Sequence, residues 1–205
     1  MREWTMAWFP MFVDLQDAPC LVIGGGKVAL RKAKLLLDFG AAVRVVAVNV
    51  LPELSGLPLE IRERAVCVSD IDGMCLVVDA TGRKEVGMML AEACRKACVP
   101  LNVVDEKSLC SFIFPAMHRD GDLTLAVSTG GTSPLAAAWV RDRAKEQIPE
   151  HFDEMLEQME QLRTQAKSRI SSQPDRKAFL ARCLSAMLEK GDTLSEEERN
   201  QLLSK

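Results

Sequence analysis

Up to about residue 110 the chain alternates short, almost wholly apolar runs with longer stretches in which apolar residues recur every three or four positions. The runs cover residues 20–23, 43–48, 75–79 and 99–104. Near-continuous Val, Leu and Ile suits strands covered on both faces, so these runs predict a parallel sheet. The stretches between them, residues 28–39 and 85–98, predict helices, the first closed by Gly40. Strand, helix and strand in succession is the rhythm of βαβ units. Residues 51–68, interrupted by Pro52 and Pro58, predict one further edge strand over 61–68.

From Ser111 the pattern changes. Residues 112–117 and 123–128 read as two strands around Arg119-Asp120-Gly121-Asp122, and Asp-Gly is a hairpin signal. In the following Ser128-Thr129-Gly130-Gly131-Thr132-Ser133-Pro134, Thr132 or Ser133 is placed to cap a helix with Pro134 at its first position. That helix should run to about Gln147 and stop before Pro149. Beyond Pro149 the only glycine is Gly191. Phe152, Met155, Leu156, Met159 and Leu162 form one helical stripe; Phe179, Leu180, Cys183, Leu184, Met187 and Leu188 form another. Ser195 and Glu198 read as the capping box of a last short helix.

Composition removes several classes of function. With 48% hydrophobic and 27% charged residues over 205 positions, the chain is neither disordered nor fibrous. Its 26 basic and 29 acidic side chains leave a net charge of −3, without the basic excess of a nucleic-acid binder. Seven cysteines with no C-x-x-C pair argue against a disulfide framework and a zinc site, so no metal centre is expected and a reducing cytoplasm fits best. No stretch reaches the 18 apolar residues that span a bilayer, and the first 11 residues lack a signal pattern. A soluble, unexported protein is expected.

The strongest chemical signal is Leu21-Val22-Ile23-Gly24-Gly25-Gly26-Lys27-Val28-Ala29, a strand running through glycines into a helix. Gly24 permits a tight turn, Gly26 lets the backbone approach a pyrophosphate and Ala29 allows close helix packing. Gly25, Lys27 and Val28 complete the cradle, where helix N–H groups and the helix dipole favour phosphate. At the end of the second strand, Val48-Asn49 carries no acid for a ribose hydroxyl, leaving Asn49 or a backbone group to serve, and no arginine follows closely to receive a 2′-phosphate. NAD is the expected cofactor. Thr81 and Asp105 end the next two strands, where ligands of doubly wound sheets bind; Thr81 can offer a hydroxyl to the cofactor and Asp105 a carboxylate beside the nicotinamide. Asp79 and Asp105 serve equally well as turn caps. The glycine loop at 128–134 is a second candidate for an anionic group. A dinucleotide-sensing regulator remains open, although residues 150–205 hold nine basic against eleven acidic side chains and make a poor DNA reader. So does a dehydrogenase of another small metabolite.

Four segments, CLVIGGGKVALRKAK (20–34), LNVVD (101–105), SFIFP (111–115) and LAVSTGGTSP (125–134), occur in the same order and spacing in the siroheme synthase family. The chain most resembles that family's precorrin-2 dehydrogenase module, which also exists free-standing. The resemblance implies a Rossmann domain, a dimerisation segment and a small helical domain, here residues 1–111, 112–149 and 150–205. It also implies NAD-dependent oxidation of precorrin-2 to sirohydrochlorin by a homodimer, with insertion of ferrous iron by some members, which makes ferrous or cobaltous ion a candidate substrate here. The family's proposed catalytic aspartate falls on Asp105. Its Ser/Thr-Gly-Gly-Thr-Ser-Pro segment puts Ser128, Gly130 and Thr132 at the substrate. His118, just past the SFIFP segment, is a candidate helper in metal insertion, although it reads first as a surface residue beside a hairpin turn. Lys107, Arg119, Arg141 and Arg143 are the nearest cations for substrate carboxylates. The methyltransferase domain of fused members has no counterpart here, and Gly82 replaces the acidic or amide residue that often follows the Thr.

Overall fold

The computed structural model describes residues 8–203; residues 1–7, which open the segment read above as lacking a signal pattern, lie outside them. The chain divides between Phe114 and Pro115 into two compact units.

The first unit is a five-stranded sheet of order β3-β2-β1-β4-β5, formed by β1 (Pro19–Ile23), β2 (Ala42–Ala47), β3 (Glu60–Glu63), β4 (Leu76–Asp79) and β5 (Leu101–Val103). All four pairings are parallel. Side chains alternate across a strand, and here both sets are apolar. Cys20 and Val22 of β1 pack with Ala29, Ala33 and Leu36 of α1 (Lys27–Asp38), whereas Leu21 and Ile23 pack with Leu90 and Cys94 of α3 (Lys84–Ala97). The sheet is therefore covered on both faces. At the end of α1, Gly40 takes the left-handed conformation (φ +77) and its N–H reaches the Leu37 carbonyl at 2.9 Å.

The edge strand expected over 61–68 is shorter. After α2 (Pro52–Ser55), β3 ends at Glu63 and Val68–Ile71 forms a 3-10 turn. Buried Asp70 closes that turn. Its carboxylate accepts from the Cys67 N–H at 2.9 Å and from the Arg64 guanidinium at 2.7 Å. Hydrogen bonding to Arg64 holds the Asp70 carboxyl well below the usual carboxylate range.

A second difference lies at the other edge. Residues 112–115 are not the start of a hairpin strand, which begins at Ala116, and Ser111 and Phe112 bond to the edge of β5. The Ser111 N–H donates to the Leu101 carbonyl (2.8 Å), the Leu101 N–H to Ser111 Oγ (2.8 Å) and Asn102 Nδ2 to the Phe112 carbonyl (3.1 Å). The first two of these bonds satisfy the Leu101 backbone, which would otherwise stand unpaired at the sheet edge. Phe112 and Phe114 meet edge to face, their centroids 5.2 Å apart, and Lys32 Nζ of α1 sits 3.5 Å from the Phe114 ring centroid. Burial pushes the Lys32 amine down to about 8.

In the second unit the hairpin is β6 (Ala116–Asp120) and β7 (Leu123–Val127), so Arg119 and Asp120 belong to the strand and only Gly121 and Asp122 form the loop. Helix α4 (Pro134–Lys145) packs on the hairpin. Helices α5 (Phe152–Arg169), α6 (Gln173–Lys190) and α7 (Glu196–Leu203) share a core of Met155, Leu162, Ala166, Phe179, Cys183, Met187 and Leu194. Leu188, expected in the second stripe, is 46% exposed because it falls one position beyond the buried seam. The capping box is present: Ser195 N–H reaches Glu198 Oε2 at 2.6 Å and Glu198 N–H reaches Ser195 Oγ at 3.2 Å. Among the described residues, no helix is long and apolar enough to cross a membrane.

Asp70→Ala should lower the unfolding free energy by roughly 1.5–3 kcal/mol at neutral pH, the range for a hydrogen bond to a charged group. The depressed folded-state value makes this contribution full above about pH 4, the ordinary carboxyl value, and lost as pH falls through the folded value. Thermal melts of wild type and variant should therefore converge progressively below about pH 4. A gap that persists undiminished in acid would contradict this assignment.

Candidate functional site

The carboxyl ends of the strands bring the first set of expected residues together. Gly24 carries φ +116, and a Cβ there would lie 2.8 Å from the Ala80 carbonyl oxygen. A Cβ on Gly25 would lie 1.9 Å from the Asn49 carbonyl oxygen and 2.8 Å from Val50 Cα. The glycine loop is thus wedged between the turn after β2, carrying Val48 and Asn49, and the turn after β4, carrying Thr81. Backbone bonds fix it there, from Gly24 N–H to the Val46 carbonyl and from Leu51 N–H to the Gly25 carbonyl, both 2.9 Å.

Gly26 differs from its neighbours. A Cβ added to it meets nothing within 4 Å. It is the extended N-cap of α1, with no side-chain cap, and the first helical bond runs from Leu30 N–H to the Gly26 carbonyl (3.0 Å). The N–H groups of Lys27, Val28 and Ala29 precede that bond and have no intrahelical acceptor by geometry. No acid stands in the first turn of α1. Among the described residues, α1 and α4 are the helices without one, since α2, α3, α5, α6 and α7 each carry Asp or Glu there. An exposed helix N-terminus without a neutralising carboxylate is suited to a phosphate ligand. Bare donors, an open glycine and the absence of an acid all fit a dinucleotide pyrophosphate.

Thr81 is held more tightly than the sequence suggests. Its hydroxyl donates to Asp79 Oδ1 at 2.7 Å and accepts from the Arg83 N–H at 3.1 Å. Asp105 follows β5 on the same edge, next to the point where Val104 N–H reaches the Asp79 carbonyl (2.9 Å). It is exposed and takes a left-handed φ of +63, one of three positive-φ non-glycine residues among the described residues. Backbone of this kind is uncommon outside glycine, with Asp among the more tolerant residues.

The remaining expected residues belong to the second unit. Ser128 Oγ accepts from Gly130 N–H (3.1 Å), and Gly130 and Gly131 take φ +63 and +82. The helix cap is Ser133, whose Oγ accepts from Ala136 N–H at 3.2 Å, rather than Thr132. Thr129, which the sequence did not single out, closes the loop: its hydroxyl donates to the Ser133 carbonyl (2.9 Å) and accepts from the Ser133 N–H (3.0 Å). His118 is half-buried on β6 opposite Leu125. Of the cations expected for substrate carboxylates, Arg141 pairs with Asp142 and Arg143 with Glu146. Among the described residues there is no group of three or more His, Cys, Asp or Glu able to hold a metal ion.

The family profile described as "Putative NAD(P)-binding" matches residues 11–116, more than half of the chain, and the profile described as "Sirohaem biosynthesis protein central" matches residues 120–146. The chain belongs to the siroheme synthase family. It is 39% identical over 183 residues to the siroheme synthase of Thioalkalivibrio sulfidiphilus and 39% identical over 183 residues to that of Methylococcus capsulatus. Each alignment covers 87% of this chain but only 37% and 39% of the relative, so the chain spans about two fifths of the length of these proteins. A solved structure described as SirC, precorrin-2 dehydrogenase, superimposes with a TM-score of 0.73 at 23% identity, covering 96% of this chain and 98% of that one. That likeness shows a shared fold.

Two glycine substitutions separate packing from binding. Gly25→Ala should lower the melting temperature, since overpacking against backbone costs about 1–3 kcal/mol or more. Gly26→Ala should melt close to wild type, because its methyl group meets no protein atom, yet raise the Kd for NADH by about tenfold or more. Unchanged NADH fluorescence titration in Gly26→Ala would remove this loop from dinucleotide binding.

Proposed function

We propose that the chain oxidises precorrin-2 to sirohydrochlorin with NAD, as a homodimer in the cytoplasm. The observation that carries this reading is the bare N-terminus of α1 behind Gly26, in a chain that belongs to the siroheme synthase family. NAD, when bound, supplies the acceptor for a hydride. Gly24, Gly25 and Gly26 admit the pyrophosphate, the N–H groups of Lys27 and Val28 donate to it, and Val48 and Asn49 border the adenosine ribose. Thr81 and its turn border the nicotinamide half.

Removing a hydride from the tetrapyrrole leaves a proton to be taken up, and a carboxylate is a competent acceptor. Asp105 is that carboxylate: it ends the strand next to the Thr81 turn, and its left-handed backbone is the kind of local strain that clusters at active sites. In the second unit, Ser128, Gly130, Thr132 and His118 are assigned to substrate, with the acid-free N-terminus of α4 favouring carboxylates. Ferrous or cobaltous ion would enter only as a further substrate.

Incubating the protein with NAD and enzymatically generated precorrin-2 should produce the absorption spectrum of sirohydrochlorin together with NADH. Asp105→Asn tolerates the left-handed backbone while removing the base. It should keep NADH binding and lose about 100-fold or more in kcat. Full turnover in that variant would reduce Asp105 to a turn residue. Supplying sirohydrochlorin and ferrous or cobaltous ion without NAD tests metal insertion directly: a rate above the protein-free control that disappears in Asp105→Asn assigns both reactions to one carboxylate, and no such rate limits the protein to dehydrogenation.

The dimer rests on exposed apolar surface. Leu135 is 84% and Trp139 62% exposed on α4, one helical turn apart, beside a hairpin of only two strands. The hairpin is supported on one side by α4, and a second copy would cover the exposed apolar side chains and the two open strand edges. The seven free cysteines suit a reducing compartment. Light scattering at micromolar concentration should give the mass of two chains, and Trp139→Glu should shift it towards one. A wild-type mass of one chain would contradict the dimer.

A further inference from the structure

Asp79 is a buried carboxylate at the carboxyl end of β4, and only half of it is satisfied. The residue is 1% exposed. Oδ1 accepts from the Thr81 N–H at 2.9 Å and from the Thr81 hydroxyl at 2.7 Å, while Oδ2 is buried without a hydrogen-bond partner. Its strand neighbours are Ile23 and Val103. On the far side, α3 presents Gly87, where a Cβ would lie 3.3 Å from Oδ2 and 3.2 Å from Val103 Cγ1. The strand position and its surroundings suit an apolar side chain. A buried acceptor left unpaired costs free energy, so its presence calls for a compensating role.

That role lies in the turn it builds. From Oδ1 the bonds pass to Thr81, from Thr81 Oγ1 to the Arg83 N–H at the N-cap of α3, and Gly82 turns the chain at φ +66. The same turn carries the Ala80 carbonyl, which stands 2.8 Å from the place a Gly24 Cβ would occupy. The Asp79 carboxylate thus fixes the wall against which the glycine loop closes on the β4 side. We propose that Asp79 is a positioning residue that holds Ala80, Thr81 and Gly82 as the rigid flank of the dinucleotide groove, at the expense of one unpaired buried oxygen. This inference rests on the dinucleotide reading above.

A group kept for positioning and not for packing leaves a signature. Asp79→Ala removes the unpaired oxygen together with the Thr81 acceptor, so the two effects on stability oppose each other. Its melting temperature should stay at or above that of wild type. NADH should bind about tenfold more weakly, with less of the blue shift in bound-NADH fluorescence, and KM for NAD should rise with kcat largely preserved. Asp79→Asn keeps an acceptor at Oδ1 and should restore NADH affinity to within about threefold of wild type. Thr81→Val, lacking the hydroxyl that donates to Asp79, should weaken NADH about threefold and stands in if Asp79→Ala does not fold. Wild-type NADH affinity in Asp79→Ala, or in Thr81→Val where the former does not fold, would overturn the proposal. So would an affinity loss that Asp79→Asn fails to restore and that parallels a fall in melting temperature. Failure of the wild-type protein to bind NADH at all would instead refute the dinucleotide reading itself.

Discussion

Three backbone segments meet at the carboxyl end of the sheet so closely that two side chains have to be absent. Gly24 lies against the Ala80 carbonyl and Gly25 against the Asn49 carbonyl, and no side chain larger than hydrogen fits either place. This contact joins the ends of β1, β2 and β4 into one rigid rim and aims α1 so that its N-terminus faces outward. The apolar strands below explain why the rim does not shift. Leu21, Val22, Val45, Val46, Val77 and Val78 are fully buried, so the sheet cannot slide without exposing both of its faces.

The same rim accounts for how much of the molecule was legible in the sequence. Strands buried on both faces are uninterrupted apolar runs, so β1, β2 and β4 announced themselves to within a residue or two. The glycine loop was readable because each glycine answers a specific steric demand. The errors arose where polar groups decide the structure. Cys67 and Asp70 cap a 3-10 turn with a thiol and a carboxylate, and an apolar alternation over 61–68 contains no trace of it. Residues 112–115 are apolar and extend no hairpin strand, because the Ser111 hydroxyl and the Asn102 amide tie the start of this run to β5. In the hairpin, Arg119 and Asp120 look like turn residues, yet cross-strand pairing extends to Asp120 and Leu123. Thr129 and Asp79 were under-read for one reason: a hydroxyl or carboxylate bonded to its own loop has no sequence periodicity to betray it.

Charge placement connects the fold to its chemistry. Where a helix N-terminus needs no ligand, this chain supplies an acid or a capping box, as at Glu85 of α3 and Ser195 with Glu198 before α7. Helices α1 and α4 carry no acid in the first turn, and of the two only α4 has a side-chain cap, from Ser133. At α1 this leaves uncapped donors, which suits a cofactor pyrophosphate, whereas at α4 Pro134 has no N–H to offer and Ser133 Oγ caps the Ala136 N–H. The first unit thus reads as a preformed cradle, with a backbone already set before ligand arrives.

The claim that the α1 N-terminus is a preformed pyrophosphate cradle is tested most directly by amide hydrogen exchange resolved to single residues, with and without saturating NADH. Donors awaiting a ligand at the open start of the helix should exchange fast in the free protein, and the N–H groups of Lys27 and Val28 should become strongly protected on binding while the buried strands β1 and β4 remain unchanged. Protection that appears elsewhere, with these two amides still exchanging freely in the NADH complex, would contradict the account.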